Sequence, residues 1–123
     1  MSEQFEAIFY GYQHTELFYN IWKCANPQAT VLITHGLAEH SECYKELAED
    51  LNRLNYQVIV YDLRGHGRSE GKRGVIKEFD YFCHDLASFA EFCKREFSEN
   101  LPLFLFGHSM GGLITAKTLL THE

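Results

Sequence analysis

The apolar residues of this chain recur at two spacings, one typical of strands and the other of helices. Short apolar runs predict β-strands at 5–10, 17–22, 29–34, 57–61 and 103–106. Apolar positions three and four residues apart predict helices after Ser41, after Asp80 and from about Ser109, with Ser41 and Asp80 as N-caps. The first two strands flank a short turn and are expected to form an antiparallel hairpin.

Beyond that hairpin, the predicted elements alternate as strand, helix, strand, helix, strand, helix. This order favours an α/β fold, with a mostly parallel sheet and helices on both of its faces. No repeat, low-complexity tract or linker interrupts the pattern. In such a sheet, the loops at the carboxyl ends of the strands gather at one edge and form the ligand site.

The segment Gly107-His108-Ser109-Met110-Gly111 stands between the last predicted strand and the last predicted helix. A serine in Gly-x-Ser-x-Gly at a strand-to-helix turn is held with its hydroxyl exposed, and the glycines let neighbouring backbone crowd the turn. The helix that follows directs the positive end of its dipole at the serine. By itself the motif leaves an alternative open, which is a glycine-rich connection without chemistry.

Composition and charge exclude several function classes. The net charge is −6 with a pI near 5.6, and no basic block is present, so a nucleic-acid partner is not expected. The start of the chain has no secretory signal pattern, and no apolar run is long enough to span a membrane. The four cysteines lie far apart, which favours free thiols, a reducing cytoplasmic location and no metal site.

A glycine-rich loop follows the fourth predicted strand and contains Gly65, Gly67 and Gly71. Its spacing departs from the dinucleotide-binding fingerprint, and no predicted helix opens directly from it. The sequence therefore predicts neither a nucleotide nor any other cofactor.

Three loop motifs follow the third, fourth and fifth predicted strands. They read His-Gly-x-x-Glu-His-Ser from His35, Asp-x-x-Gly-His-Gly-x-Ser-x-Gly from Asp62, and Gly-His-Ser-Met-Gly-Gly from Gly107. In this order they resemble the α/β-hydrolase superfamily, and within it the monoacylglycerol lipase and lysophospholipase group, which is serine aminopeptidase S33-like. The resemblance runs from about Phe5 to the end of the chain. One departure is Ala38, where the group often has a second glycine, and a positive φ there would strain an alanine.

The resemblance implies that Ser109 is the nucleophile and that the backbone N–H groups of Leu37 and Met110 form the oxyanion hole. The residues expected to support these loops, rather than to act in catalysis, are His35, Gly36, Gly107 and Gly111. The family's base and acid come later in the chain, and no residue here matches them. His108 is disfavoured as the base because adjacent side chains on a tight turn diverge.

The implied activity is hydrolysis of lipid-type carboxylic esters through an acyl-enzyme on Ser109. Residues 1–123 would be the amino-terminal part of one α/β-hydrolase domain, truncated after the nucleophile helix. The cap and the C-terminal triad region would be absent, so the isolated chain is expected to be inactive. The expected partner is a small lipid ester, with no nucleic acid, no transmembrane segment and peripheral membrane contact left open.

The alternative is a non-catalytic remnant or interaction module of the same fold. In the family's strand order, the last predicted strand, 103–106, would form an open edge of the sheet. This strand is apolar and carries no charge. Self-association of the chain is therefore expected.

Overall fold

The computed structural model describes residues 3–73 and 79–121, which form one mixed sheet flanked by helices. The strands are β1 (Glu3–Tyr10), β2 (Glu16–Lys23), β3 (Ala29–Thr34), β4 (Tyr56–Tyr61) and β5 (Leu103–Gly107). The α-helices are α1 (Lys45–Arg53), α2 (Phe79–Phe97) and α3 (Met110–Thr121). Short 3₁₀ turns occupy Tyr12–His14 and Ser41–Tyr44. All five predicted strands are present, each within two residues of its predicted ends.

The strands lie in the order β1-β2-β4-β3-β5. β1 and β2 pair antiparallel as the predicted hairpin, and β2 also runs antiparallel to β4. β3 pairs parallel with both β4 and β5, so four of the five described strands point in one direction. Because Thr34 is opposite both Tyr61 and Gly107, the last three parallel strands end at the same level.

Helices cover both faces of the sheet, as predicted for an α/β fold. On one face, Ala48 of α1 packs with Trp22, Ile33, Val58 and Val60. On the other face, α2 and α3 enclose a larger core of buried residues that includes Tyr19, Leu32, Ile59, Tyr61, Leu86, Phe89 and Ile114. Aromatic rings dominate this second core, with Phe89 contacting the rings of Phe9, Tyr19 and Tyr61.

Both predicted N-caps are wrong. Ser41 lies in the 3₁₀ turn before α1, where its hydroxyl accepts a hydrogen bond from Asn20 Nδ2 at 2.9 Å and its N–H donates to Asp62 at 2.5 Å. Ser41 therefore links β2 to the loop after β4 instead of capping a helix. Asp80 lies inside the first turn of α2, where a carboxylate interacts favourably with the helix dipole.

A buried ion pair ties the loop after β4 to α2. The Asp85 carboxylate accepts hydrogen bonds from Arg64 Nε and Nη2, each at 3.0 Å, and from the Tyr12 N–H at 2.8 Å. The guanidinium also donates to the Tyr12 carbonyl oxygen at 2.7 Å, and it lies over the Tyr81 ring. Since the Asp85 side chain is only 1% exposed, its charge depends on these donors.

Replacing Arg64 with methionine is expected to destabilise the chain by about 3–5 kcal/mol, because it leaves a buried carboxylate without its cation. Urea unfolding followed by circular dichroism measures this loss. The matched control is Arg53→Met, which removes an exposed ion pair with Asp50 and should cost at most about 1 kcal/mol. Small, equal losses in the two variants would contradict a structural role for the buried pair.

Candidate active site

Ser109 occupies the turn between β5 and α3, with a φ of 57° that non-glycine residues adopt only under constraint. Its side chain is exposed. Within residues 3–73 and 79–121, no hydrogen bond holds its hydroxyl. The turn therefore exposes the Ser109 Oγ at the end of the sheet, immediately before the first turn of α3.

Two glycines allow this turn to close. A Cβ on Gly107 would lie 2.4 Å from the Gly111 carbonyl oxygen. A Cβ on Gly111 would lie 2.1 Å from the Thr34 carbonyl oxygen and 2.5 Å from that of His35. These distances are well inside van der Waals contact. A side chain at Gly107 would push the start of α3 away from β5, and one at Gly111 would push it away from the end of β3.

The loop after β3, residues 35–39, is anchored by a buried histidine. His35 Nε2 accepts a hydrogen bond from the Leu63 N–H at 2.9 Å, and its Nδ1 lies 2.7 Å from the Gly36 carbonyl oxygen. Because Nε2 accepts, the proton of the neutral ring is on Nδ1, which donates to that carbonyl. Burial lowers the pKa of His35, which favours this neutral form.

These bonds orient the peptide group between Gly36 and Leu37. Its carbonyl oxygen accepts from His35 Nδ1 and from the Glu39 N–H at 3.2 Å. Since the C=O and N–H of a trans peptide point in opposite directions, the Leu37 N–H points away from both donors. In the described parts of the chain, neither this N–H nor that of Met110 donates a hydrogen bond.

The two loops are in contact. A Cβ on Gly36 would lie 3.3 Å from the Ser109 Cβ and 3.2 Å from the His108 carbonyl oxygen. A side chain at position 36 would therefore crowd the serine turn. The structure thus brings together the sequence-predicted residues His35, Gly36, Leu37, Gly107, Ser109, Met110 and Gly111 at the carboxyl end of β3 and β5.

Glu39 is a polar centre of the site to which sequence reasoning assigned no role. Its Oε1 accepts hydrogen bonds from the Gly36 N–H and the Tyr44 hydroxyl, both at 2.7 Å, and lies 3.5 Å from His108 Nδ1. The Tyr44 hydroxyl, followed by the Gly36 N–H, lowers the pKa of Glu39 and keeps it ionised. The sequence feature that could have pointed to Glu39 is an acidic residue three positions after a glycine, in a loop at the end of a strand.

The loop after β4 is held to neighbouring segments by hydrogen bonds of Asp62 and Ser69. The buried Asp62 carboxylate accepts from the Ser41 N–H and, at 3.0 Å, from the Arg68 N–H. Ser69 Oγ donates to the Asp62 carbonyl oxygen and accepts from the Phe18 N–H. These bonds fix the loop after β4 to the 3₁₀ turn before α1 and to β2.

No base contacts the serine in the described residues. The neighbouring His108 is 60% exposed and its Nδ1 faces Glu39. Residues 3–73 and 79–121 contain no group of three or more His, Cys, Asp or Glu that could hold a metal ion. None of the helices in those ranges is long and apolar enough to cross a membrane. All four cysteines are unpaired, with Cys83 and Cys93 buried.

A family profile described as "Serine aminopeptidase, S33" matches residues 25–123. The chain belongs to this family. The match contains all three loop motifs, and it confirms the resemblance predicted from them.

Several proteins similar to this chain are named lipases or esterases. Rat monoglyceride lipase is 42% identical over 100 residues, which is 80% of this chain and 33% of that protein. A carboxyl esterase from Bacillus coagulans, solved in complex with glycerol, superimposes with a TM-score of 0.85 at 25% identity, covering 97% of this chain and 40% of the esterase. A soluble variant of Saccharomyces cerevisiae monoglyceride lipase, bound to a substrate analogue, superimposes with a TM-score of 0.80 at 27% identity. This match covers 95% of this chain and 40% of the lipase. The chain spans about one third of the length of the curated relatives it matches.

The residue that departs from the family pattern does adopt a left-handed conformation. Ala38 is exposed and has a φ of 64°. Its Cβ therefore meets the backbone strain that glycine avoids, about 1–2 kcal/mol.

Replacing Ala38 with glycine is expected to stabilise the chain by about 0.5–1 kcal/mol, because relief of the strain exceeds the entropy that glycine adds to the unfolded state. Thermal unfolding measures the change as a rise in Tm of a few degrees, about 2–6 °C. The control is Ala116→Gly in the exposed part of α3, which should instead cost about 1 kcal/mol. Equal losses in both variants would show that the loop is not strained.

Proposed function

We propose that this chain carries the nucleophile of a serine ester hydrolase that cleaves lipid-type carboxylic esters, of the monoacylglycerol or lysophospholipid class. The observation that carries the proposal is the exposed Ser109 hydroxyl at positive φ, beside two backbone N–H groups that have no acceptor among the described residues. The choice of a lipid ester is supported by relatives named monoglyceride lipase.

In the proposed mechanism, Ser109 Oγ attacks the ester carbonyl carbon and the alcohol leaves, forming an acyl-enzyme that water then hydrolyses. The oxyanion of each tetrahedral intermediate accepts hydrogen bonds from the Leu37 and Met110 N–H groups. The α3 dipole adds partial positive charge at the same place. Losing one such donor typically lowers the rate by about 10²–10³-fold.

The proposed chemistry needs a general base and an acid that orients it. No described residue contacts the serine hydroxyl in that role, so both groups would come from outside the described residues. Loss of the base in a triad lowers kcat by up to about 10⁶-fold, and the remaining oxyanion hole and binding retain only about 10³–10⁴-fold over water. We therefore propose that the isolated chain is inactive towards esters.

The proposed setting is the cytoplasm, where thiols stay reduced, in line with the four unpaired cysteines. The proposed partner is a small lipid ester, and the net charge of −6 gives no support to a nucleic-acid partner. Peripheral contact with a membrane would deliver such a substrate without any membrane-spanning segment.

The proposal is tested in a chimera in which residues 25–123 replace the aligned segment of rat monoglyceride lipase. In this chimera, Ser109 is combined with all the residues of rat monoglyceride lipase outside the aligned segment. Covalent labelling by a fluorophosphonate probe, located by mass spectrometry, is expected at Ser109, together with hydrolysis of a monoacylglycerol. Ser109→Ala should abolish labelling and lower kcat by about 10⁶-fold.

The control in the same chimera is Ser88→Ala, which removes an exposed hydroxyl on α2 and should change neither readout. A folded chimera that hydrolyses the ester but is labelled at another residue would contradict the assignment of Ser109. So would full activity in Ser109→Ala.

A second proposed role is that of an interaction module, and the exposed edge of the sheet favours it. β5 is an edge strand, and its Phe104 and Phe106 are 54% and 43% exposed. On the opposite face, α3 exposes Leu113, Leu119 and Leu120. An apolar edge without charge is a template for pairing with another chain. We propose that a second copy of the chain occupies this edge, giving self-association.

Replacing Phe106 with lysine is expected to shift the isolated chain towards the monomer, because a charge on an edge strand opposes pairing. Sedimentation velocity over a concentration series measures the shift. The control is Ile8→Lys on β1, the opposite edge, where Glu3 and Glu6 already place charges. A wild-type chain that stays monomeric at every concentration would overturn this role.

A further inference from the structure

Glu39 connects three elements that meet beside Ser109. Its Oε1 is 2.7 Å from the Gly36 nitrogen, 2.7 Å from the Tyr44 hydroxyl and 3.5 Å from His108 Nδ1. These partners belong to the loop after β3, the 3₁₀ turn before α1 and the turn that carries the nucleophile. A single carboxylate oxygen thus joins the three segments on which the proposed function depends.

Glu39 restrains both peptide groups that flank Gly36. Its carboxylate accepts from the Gly36 N–H, which belongs to the peptide between His35 and Gly36. Its own N–H donates to the Gly36 carbonyl oxygen, which belongs to the peptide between Gly36 and Leu37. Fixing both groups sets φ and ψ of the glycine between them, the residue type with the widest conformational freedom. His35 holds only the second group.

We propose that Glu39 is a positioning residue that clamps Gly36 and thereby aims the Leu37 N–H at the oxyanion formed on Ser109. This inference rests on the proposed function. Glu39 acts through the backbone, because its Oε1 bonds to the Gly36 N–H and, in residues 3–73 and 79–121, no side chain bonds to the serine hydroxyl. It is therefore distinct from a catalytic residue.

Tyr44 keeps the clamp in place. It is buried at the start of α1, and its hydroxyl donates to the same Oε1 that holds the Gly36 N–H. Because the Tyr44 hydroxyl holds the end of the Glu39 side chain, Glu39 cannot turn out to solvent without losing this hydrogen bond.

The clamp is first tested on the 123-residue chain by hydrogen–deuterium exchange with mass spectrometry at low protein concentration. In Glu39→Ala, the Gly36 amide should exchange at least about tenfold faster, because it loses a charge-assisted hydrogen bond. Glu39→Gln keeps an acceptor oxygen and should restore most of the protection. The control Glu42→Ala removes an exposed carboxylate from the adjacent turn and should leave exchange unchanged.

The consequence for catalysis is tested in the chimera with rat monoglyceride lipase. Glu39→Ala is expected to lower kcat by about 10²-fold, the size of losing one oxyanion donor, and to leave KM within about threefold. Inhibition by a trifluoromethyl ketone, which forms a tetrahedral adduct with the serine, should weaken by a similar factor. Glu39→Gln should recover kcat to within about tenfold of the unsubstituted chimera, since a neutral acceptor makes a weaker bond.

The possible results separate the two proposals. Unchanged Gly36 exchange in Glu39→Ala would overturn the clamp without reference to activity. An unchanged kcat, or a loss confined to KM, would overturn the link to the oxyanion. A Glu39→Gln variant as impaired as Glu39→Ala would overturn the clamp, because glutamine keeps the acceptor oxygen and only the charge is lost. Failure of the proposed function would appear instead as an unlabelled Ser109 in the unsubstituted chimera.

Discussion

The parallel pairing of β3 between β4 and β5 is the constraint on which the rest of the site depends. Thr34 is opposite Tyr61 on one side and Gly107 on the other, so three strands end at one level. The residues that follow can then interact across a few ångströms, as when the His35 ring accepts from the Leu63 N–H. A register shift of one residue in either pairing would separate these loops and reverse the faces of the side chains.

Much of this site consists of backbone groups that are oriented by side chains. The Leu37 side chain is 51% exposed and contributes little packing, whereas its N–H lies in a peptide whose carbonyl oxygen is held by His35 and Glu39. The Met110 N–H has no acceptor in the part of the chain that the structure describes, because Met110 begins a helix. Sequence variation at Leu37 is therefore less informative about function than variation at Glu39, which sets the direction of that N–H.

The fold and the serine turn could be predicted because both follow from local patterns. Strand-length apolar runs mark the sheet, and Gly107 and Gly111 mark a turn with no space for a Cβ. One of the two N-cap errors involves contacts between residues far apart in sequence. Ser41 looked like a helix cap, but Asn20 and Asp62, both 21 residues away, bind its hydroxyl and its N–H. Glu39 was missed for a different reason, because its partners Gly36 and Tyr44 are close in sequence but no sequence pattern shows that its carboxylate turns back to the Gly36 N–H.

The two proposed roles of β5 exclude one another. This strand leads directly into the turn that carries Ser109, and it is also the sheet edge that exposes Phe104 and Phe106. If further strands that carry a base for the serine add at this edge, they pair with the side of β5 that is turned away from β3. A second copy bound there would occupy the same backbone donors and acceptors. The proposed catalysis and the proposed self-association through this edge would therefore be alternatives for any one molecule.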